Sequence, residues 1–208
     1  MTPPPSWTEL TDRARRLAAR GGRRLLGITG PPGAGKSHLA AAMAGQVGTA
    51  VVSMDGYHLP DEQLRRLDRL DRKGAPETFD AVGFIAMLRR LRAGAGPVLA
   101  PAFDRRGEVT LPDAVSIPIG AGLVIVEGNY LLLQTEPWDE VRSLLDEVWF
   151  IDHPDRVERL VARHVEFGRQ REAAVERATT GSDGENARLI LSSKHGADLV
   201  LEHGWLCS

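Results

Sequence analysis

A glycine-rich segment near the N-terminus has the residue types and spacing that bind a phosphate chain. It follows an apolar run, 25–29, and precedes a helix-forming run, 38–44, so the pattern predicts a strand, a loop and a helix. Backbone N–H groups of such a loop and the positive end of the helix dipole would bind the α- and β-phosphates of a nucleotide. The segment fits G-x-x-x-x-G-K-[ST] and consists of Gly30, Pro31, Pro32, Gly33, Ala34, Gly35, Lys36 and Ser37, followed by His38.

Two side chains of this loop would act directly on Mg²⁺-ATP. Lys36 would reach the β- and γ-phosphates, and the Ser37 hydroxyl would hold Mg²⁺. The chain otherwise avoids lysine, which makes a lysine at this position more informative than in an average composition. We expect Lys36 to lie in a solvated loop whose truncation opens no core cavity. The alternative is a turn between strand and helix that binds nothing, but the motif and its context favour nucleotide binding.

Acidic residues follow several of the predicted strands. In open α/β sheets ligands lie beyond the carboxyl ends of the strands, where Asp55 and Glu127 fall. A carboxylate such as Asp55 could accept the proton of a hydroxyl that attacks a γ-phosphoryl group. Glu127 could hold Mg²⁺ through water or contact the phosphate acceptor. Asp104 and Asp152 occupy similar positions, and any one of these acids could instead cap a turn.

Strands alternate with helices along the chain, which predicts an α/β fold with a mainly parallel sheet. The run 123–128 is the most continuous of the predicted strands, with four apolar residues before Glu127, as in a strand covered on both faces. The polar stretch 104–120 has alternating apolar residues and predicts an antiparallel excursion at the sheet edge. The other predicted strands are 25–29, 50–54, 97–103, 147–152 and 197–201, and the predicted helices are 6–20, 38–47, a short one within 60–74, 80–91, 154–167 and 184–192.

The composition limits the class of protein. A length of 208 residues predicts one domain, 1–208, with a small lid, and 42% hydrophobic residues are enough for a buried core. A net charge of −2 argues against a general nucleic-acid-binding surface. No apolar run approaches the length of a membrane span, and Cys207 is the single cysteine, so we expect a cytoplasmic protein without disulfides or membrane contact.

Five motifs occur in an order that resembles one family. They begin at Gly30, Met54, Lys73, Pro101 and Val126 and read GPPGAGKS, MDGYHL, KGAPETFD, PAFDR and VEGNYLL. The set resembles the P-loop kinases that include uridine kinase, phosphoribulokinase and type I pantothenate kinase. It is most similar to a small bacterial nucleoside/nucleotide kinase-like branch, some members of which are labelled fructokinase. The resemblance extends from about residue 25 to 190 and implies the three-layer sandwich of P-loop NTPases.

The resemblance also implies roles for particular residues. Asp55 matches the catalytic aspartate, and Glu127 matches the glutamate on the metal side. The lid would span about 159–177, with Arg163 as the first candidate to close over the phosphates and Arg169 as the second. His164 is interpreted as structural or exposed rather than catalytic. The candidates for the acceptor pocket are Tyr57, His58, Lys73, Thr78, Phe79, Asp80, Arg105, Asn129 and Tyr130, and Asn186 is a candidate for contact with the adenine.

These observations predict an ATP-dependent phosphotransferase that acts on a hydroxyl of a small molecule: a nucleoside, a sugar or a pantothenate-like alcohol. The alternative is a regulatory ATPase without a small acceptor. A GTPase switch is disfavoured because no lysine fits a guanine-reading Asn-Lys-x-Asp motif, and a polynucleotide kinase is disfavoured because the chain has no basic patch. The families that it resembles include dimers and tetramers, so a homodimer is among the assemblies that the resemblance implies.

Overall fold

A five-stranded parallel sheet forms the centre of the computed structural model, which describes residues 4–104, 107 and 109–202. The strand order is β2-β5-β1-β6-β7, and every neighbouring pair in it is parallel. Arg105 and Cys207 lie outside the described residues. The strands are β1 (Arg24–Thr29), β2 (Ala50–Ser53), β3 (Val98–Asp104), β4 (Val109–Ile117), β5 (Leu123–Glu127), β6 (Glu147–Ile151) and β7 (Leu199–Leu201).

Helices cover both faces of the sheet. Alternate residues of a strand point to opposite faces, and the apolar runs of β1, β5 and β6 therefore supply two cores. The helices are α1 (Trp7–Ala18), α2 (Lys36–Val47), α3 (Asp61–Arg66), α4 (Ala81–Ala93), α5 (Val141–Leu144), α6 (Arg156–Glu166), α7 (Arg171–Thr179) and α8 (Ser182–Ser192).

The two cores show the layering directly. Leu25, Val124 and Val148 pack with α4, α5 and α8 on one face. Leu26 and Ile125 pack with α1 and α2 on the other face. The predicted α/β fold with three layers and a parallel sheet is therefore confirmed.

The predicted antiparallel excursion is present, and it lies beside β2 at the edge of the parallel sheet. Strands β3 and β4 do pair antiparallel, but they form a separate two-stranded sheet that packs beside β2 without extending the parallel sheet. The register shifts between Ala100 and Ala102, on either side of Pro101. Proline has no N–H group to donate to a ladder, so the pairing of β3 with β4 is interrupted at Pro101.

The Arg-rich stretch that we expected to form a lid consists of two helices, α6 and α7. Leu160 and Val161 of α6 pack against Ala174 and Ala178 of α7 in a small cluster of their own. The turn between the helices uses Gly168, whose φ of 88° lies in the left-handed region. The sequence analysis did not predict α7 as a helix, because its apolar residues are small and few.

The structure also bears on membrane insertion. Among residues 4–104, 107 and 109–202, no helix is both long and apolar enough to cross a membrane.

Candidate active site

The glycine-rich loop connects β1 to α2 and needs glycine at specific positions. The φ angles of Gly30, Gly33 and Gly35 are 146°, 82° and 97°. A Cβ atom on Gly30 would lie 2.2 Å from the carbonyl oxygen of Ile151, and one on Gly33 would lie 2.2 Å from that of Arg156. The loop therefore packs directly on the end of β6 and the start of α6, and any larger residue would push these elements apart.

Lys36 is the first residue of α2, and its side chain is enclosed by the loop. The residue is 9% exposed, and its Nζ donates a hydrogen bond to the carbonyl oxygen of Pro31 at 3.1 Å. Our expectation of a solvated lysine was therefore wrong, because the loop wraps around the side chain. This arrangement holds a positive charge against the backbone of the glycine-rich loop, which fits the binding of a phosphate chain.

Oxygen atoms of Ser37, Ser53 and Glu127 form a group beside the loop. Ser37 Oγ donates to Glu127 Oε2 at 3.3 Å, and Ser53 Oγ donates to Oε1 of the same carboxylate. The parallel register places Ser53 opposite Glu127, which explains how β2 and β5 bring them together. Glu127 is 5% exposed. Hard oxygen ligands of this kind suit Mg²⁺, which is usually held by one or two protein groups and the phosphates.

Asp55 lies in a short 3-10 turn, Met54–Tyr57, directly after β2. Its N–H donates to Ser53 Oγ at 3.2 Å, and the Nδ1 of His58 donates to its carbonyl oxygen at 2.8 Å. The turn is pressed against β3, since a Cβ atom on Gly56 would lie 2.6 Å from the carbonyl oxygen of Pro101. The backbone contacts fix the turn and present the half-buried Asp55 to the cavity described below.

Aromatic rings and a lysine form the wall on the far side of Asp55. The His58 ring lies between Phe79 and Phe103, with centroid distances of 4.1 and 4.8 Å. Lys73 Nζ lies 5.8 Å from the Phe103 ring centroid and forms a 2.8 Å ion pair with Asp61. This wall has flat apolar faces and a positive charge.

Thr78 and Tyr130 support this wall from beneath. Both side chains are buried, at 0% and 1% exposure. Thr78 Oγ1 accepts a hydrogen bond from the N–H of Gly74 at 3.0 Å, and the Tyr130 hydroxyl donates to the Gly74 carbonyl oxygen at 2.6 Å. Burial raises the pKa of Tyr130, so the hydroxyl keeps its proton for this bond. In this geometry both residues position the Lys73–Gly74 loop and do not line the cavity, in contrast to our expectation of direct acceptor contacts.

Tyr57 also points away from the cavity. Its ring meets Phe84 of α4 at a centroid distance of 5.2 Å in an edge-to-face arrangement. Burial and then the charge of Asp80 raise the pKa of Tyr57 to about 12. The predicted pocket contact is not present here, because the neighbouring apolar core takes up the ring. Asp80 itself caps α4 by accepting from the N–H of Gly83 at 2.9 Å.

A cavity of 450 Å³ brings most of the predicted site residues together. It extends from the glycine-rich loop past Asp55 to the aromatic wall and is roofed by α6. The predicted residues that line it are Pro32, Gly33, Gly35, Lys36, Ser37, His38, Asp55, His58, Lys73, Phe79, Glu127, Asn129 and Arg163. The predicted residues that do not line it are Gly30, Pro31, Ala34, Tyr57, Thr78, Tyr130 and Arg169.

Arg169 lines a neighbouring cavity of 650 Å³ that shares Lys73 and Arg163 with the first one. It follows Gly168 and therefore lies beyond the end of α6, away from the glycine-rich loop. Our assignment of Arg169 to the phosphate site does not match this position. Arg105 lies outside the described residues, so its predicted role stays a prediction.

The cavity also has lining residues that the sequence analysis did not select. Arg159 lies one helical turn before Arg163, and this i,i+4 spacing was a signal that we did not use. Arg177 and Asp183 come from α7 and α8, and His164 lies beside them. Asn186, which the sequence did predict as a candidate for contact with the adenine, also lines the cavity, and a Cβ atom on Gly74 would lie 3.8 Å from its Nδ2 atom, so it faces the Lys73–Gly74 loop.

Proteins of similar sequence are named as kinases. An ATP-dependent kinase-like protein of Aspergillus versicolor is 37% identical over 73% of this chain and 95% of its own length. A protein of Schizosaccharomyces pombe, provisionally named as a uridine kinase, is 32% identical over 95% of this chain and 90% of its own length. No family model matches the chain.

A solved structure agrees with these sequence relatives. The crystal structure of a protein from a Silicibacter species, provisionally described as a fructose transport system kinase, superposes with a TM-score of 0.87 and 35% identity, over 94% of this chain and 98% of that one. The relatives and this structure share the kinase description, and this chain has the glycine-rich loop between β1 and α2 of a parallel sheet. The chain therefore belongs to the P-loop kinases that include uridine kinase and pantothenate kinase, and it is a small-molecule kinase.

Proposed function

We propose that the protein transfers the γ-phosphoryl group of ATP to a hydroxyl of a small molecule, with Asp55 as the general base. The observation that carries this proposal is that Asp55 lines the same cavity as Lys36, Ser37 and Glu127. A base, a phosphate-binding loop and a metal-side carboxylate in one cavity are the parts that phosphoryl transfer needs.

Several of the polar residues that line the cavity have their own role in the proposed transfer. Mg²⁺-ATP supplies the transferable phosphoryl group, and the metal neutralises part of its charge. Lys36 binds the β- and γ-phosphates, and Ser37 with Glu127 holds the metal. Asp55 orients the acceptor hydroxyl and accepts its proton as the oxygen attacks. The guanidinium group of Arg163, on the lid side of the cavity, stabilises charge on the transferring group.

The far part of the cavity would hold the acceptor. His58, Phe79 and Phe103 offer flat faces, while Asn129 and Asn186 offer amide groups that donate and accept hydrogen bonds. One cavity of 450 Å³ holds both the phosphate end of ATP and the acceptor, so the acceptor is a small polar molecule. Nucleosides, sugars and pantothenate-like alcohols all fit this description.

An acceptor screen tests the proposal. ADP release would be measured with Mg²⁺-ATP and uridine, cytidine, fructose, other ketohexoses or pantothenate, and the phosphorylated product would be identified by ³¹P NMR. We expect one class of compound to stimulate ADP release and to appear as a phosphomonoester. ATP hydrolysis that no compound in the screen stimulates would instead support a regulatory ATPase.

Arg163→Ala is expected to lower kcat roughly tenfold to a hundredfold, with a smaller rise in the KM of the acceptor. The guanidinium group acts on charge that develops in the transition state, and loss of one such donor costs about 10²-fold. Arg169→Ala is the matched comparison, because it removes the same charge from the lid but lines only the neighbouring cavity. Equal kcat values for the two variants would contradict the role of Arg163.

Hydrogen exchange gives a second measurement on the lid. Exchange across residues 159–172 is expected to slow when a nonhydrolysable ATP analogue and acceptor are added, because the phosphates attract the lid arginines. Unchanged exchange together with a fully active Arg163→Ala variant would identify the segment as an ordinary surface helix.

Tyr130→Phe is expected to raise the KM of the acceptor several-fold while leaving the KM of ATP within about twofold. The change leaves the Gly74 carbonyl oxygen without its donor, which costs about 1–3 kcal/mol and loosens the Lys73–Gly74 loop. Steady-state kinetics with each substrate varied in turn would measure both constants. Tyr57→Phe is the control, since the Tyr57 ring packs on α4 outside the cavity. Equal effects on both substrates would argue against a loop that serves the acceptor.

A further inference from the structure

A nearly buried carboxylate joins the two lid helices to the body of the protein. Asp183, in the first turn of α8, is 9% exposed. One oxygen atom, Oδ2, lies 2.7 Å from His164 Nε2 of α6 and 3.2 Å from Arg177 Nε of α7. A single atom thus contacts both lid helices, although its two partners are 19 and 6 residues away in sequence.

The helix that carries Asp183 is a fixed support. Ala187 and Ile190 of α8 are 0% and 1% exposed, and Ile190 belongs to the main core. The corner between α7 and α8 is also tight. A Cβ atom on Gly184 would lie 1.9 Å from the carbonyl oxygen of Thr179, so only glycine fits there. Asp183 is therefore held by packed elements. Helices α6 and α7 pack on each other through their small cluster, and α7 also packs on α8.

The contact to α6 determines which residues the lid presents to the cavity. His164 directly follows Arg163, and successive residues of a helix are rotated by about 100°. Fixing His164 against Asp183 therefore fixes the rotation of α6, and in this rotation both Arg159 and Arg163 line the cavity.

The contact to α7 extends the connection to the acceptor side. One guanidinium nitrogen of Arg177 donates to the carbonyl oxygen of Lys73 at 3.3 Å, while its Nε forms a 3.2 Å ion pair with Asp183 Oδ2. The next residue after Lys73 is Gly74, whose backbone groups are held by Thr78 and Tyr130. Asp183 thus contacts the phosphate side of the cavity through His164 of α6 and the acceptor side through Arg177 of α7.

We propose that Asp183 is a positioning residue that holds the lid closed in the rotation that directs Arg163 at the transferring phosphoryl group. This inference rests on the proposed function, in which Arg163 stabilises the transition state. Two other roles make different predictions: a core carboxylate that only stabilises the fold, and a direct ligand of the nucleotide or the acceptor.

Hydrogen exchange of the nucleotide-free protein tests the closure without any assay of activity. Asp183→Ala is expected to speed amide exchange across α6 and α7 about tenfold, while exchange across α2 stays unchanged. Glu185→Ala is the matched control, because it removes an acidic residue from the same turn of α8 at an exposed position. Uniformly faster exchange in all helices would assign Asp183 to fold stability and overturn the proposal, and unchanged exchange in α6 would overturn it too.

Kinetics test the link to Arg163. Asp183→Ala is expected to lower kcat roughly tenfold to a hundredfold, since a displacement of about 1 Å can cost 10²-fold, and to change the KM of ATP less than threefold. His164→Ala removes the same contact from the α6 side, at a half-buried position, and serves if Asp183→Ala folds poorly. The double variant is expected to lose no more kcat than the more impaired single variant, because the Asp183–His164 contact is already absent once either residue is changed.

The outcomes separate the roles. Additive losses of kcat in the double variant would overturn the proposal. A tenfold rise in the KM of ATP or of the acceptor with kcat unchanged would also overturn it, because that result identifies Asp183 as a direct ligand. Suppose that Asp183→Ala shows the expected faster exchange but no loss of kcat. The inference that Asp183 holds the lid would then stand, and the role of Arg163 in the proposed function would be contradicted.

Discussion

Lys36→Ala is expected to lower phosphoryl transfer roughly 10²–10³-fold, the usual cost of removing one preorganised group that stabilises transition-state charge. The structure holds the Lys36 amine inside the glycine-rich loop, 3.1 Å from the carbonyl oxygen of Pro31. In the proposed function this amine binds the β- and γ-phosphates of ATP. The measurement is product formation under saturating Mg²⁺-ATP, together with ATP affinity by calorimetry.

The fold is expected to survive this change with a small loss of stability. The Pro31 carbonyl oxygen loses its donor, which costs about 1 kcal/mol and lowers the melting temperature by about 2–4 °C. Lys194→Ala is the charge-matched control, because Lys194 forms ion pairs with Asp152 and Glu202 away from the cavity. Full turnover in a folded Lys36→Ala variant would contradict the assignment of the phosphate loop.

Lys36→Arg separates charge from shape. The arginine keeps the positive charge, but its planar guanidinium group is wider than an ammonium group and would have to fit where the loop encloses a 9% exposed side chain. We expect this variant to be nearly as inactive as Lys36→Ala. Activity close to that of the unchanged protein would mean that the loop requires only a positive charge.

The strands and the main helices could be predicted from sequence because each carries a strong local signal. The strand β5 begins with four consecutive apolar residues, 123–126, and the helix start at Ser6 has a capping box with Glu9 that the structure contains. Helix α7 was missed because Ala174 and Ala178 give little apolar periodicity. The antiparallel pair β3–β4 was predicted, but its separation from the parallel sheet could not be, because strand alternation does not reveal which neighbour a strand pairs with.

The site was predictable where one local motif or one strand end supplies a residue. Lys36, Ser37, Asp55 and Glu127 were found in this way, and the cavity contains all four. Contacts between distant segments were not predictable, and Asp183 is the clearest case, since its partners His164 and Arg177 have no sequence pattern in common with it.

A motif also does not distinguish lining residues from supporting ones. Thr78 and Tyr130 occur in the matching motifs, but their side chains are buried and hold backbone groups of Gly74. Only burial and hydrogen-bond geometry separate such residues from His58 and Phe79, which line the cavity.

Asp55→Asn is expected to lower phosphoryl transfer roughly 10²–10⁴-fold, the contribution of a positioned general base, and to leave ATP affinity within a few-fold. The two hydrogen bonds that fix the turn use the backbone N–H and carbonyl groups of Asp55, so the change of carboxylate to amide retains them. Asparagine has nearly the same shape but cannot accept the proton of the acceptor hydroxyl. Single-turnover product formation with saturating ATP and acceptor measures the chemical step.

Two further variants determine how this result is read. Asp71→Asn makes the same chemical change on an exposed acid of another 3-10 turn, Leu70–Arg72. It is expected to change neither the rate of phosphoryl transfer nor the affinity for ATP. Glu127→Gln changes the carboxylate that accepts from Ser37, so it should raise the Mg²⁺ concentration needed for ATP binding. If Asp55→Asn instead weakens Mg²⁺-ATP binding as much as it slows transfer, Asp55 is a metal ligand or a structural residue, and the proton of the acceptor hydroxyl must be taken by another group.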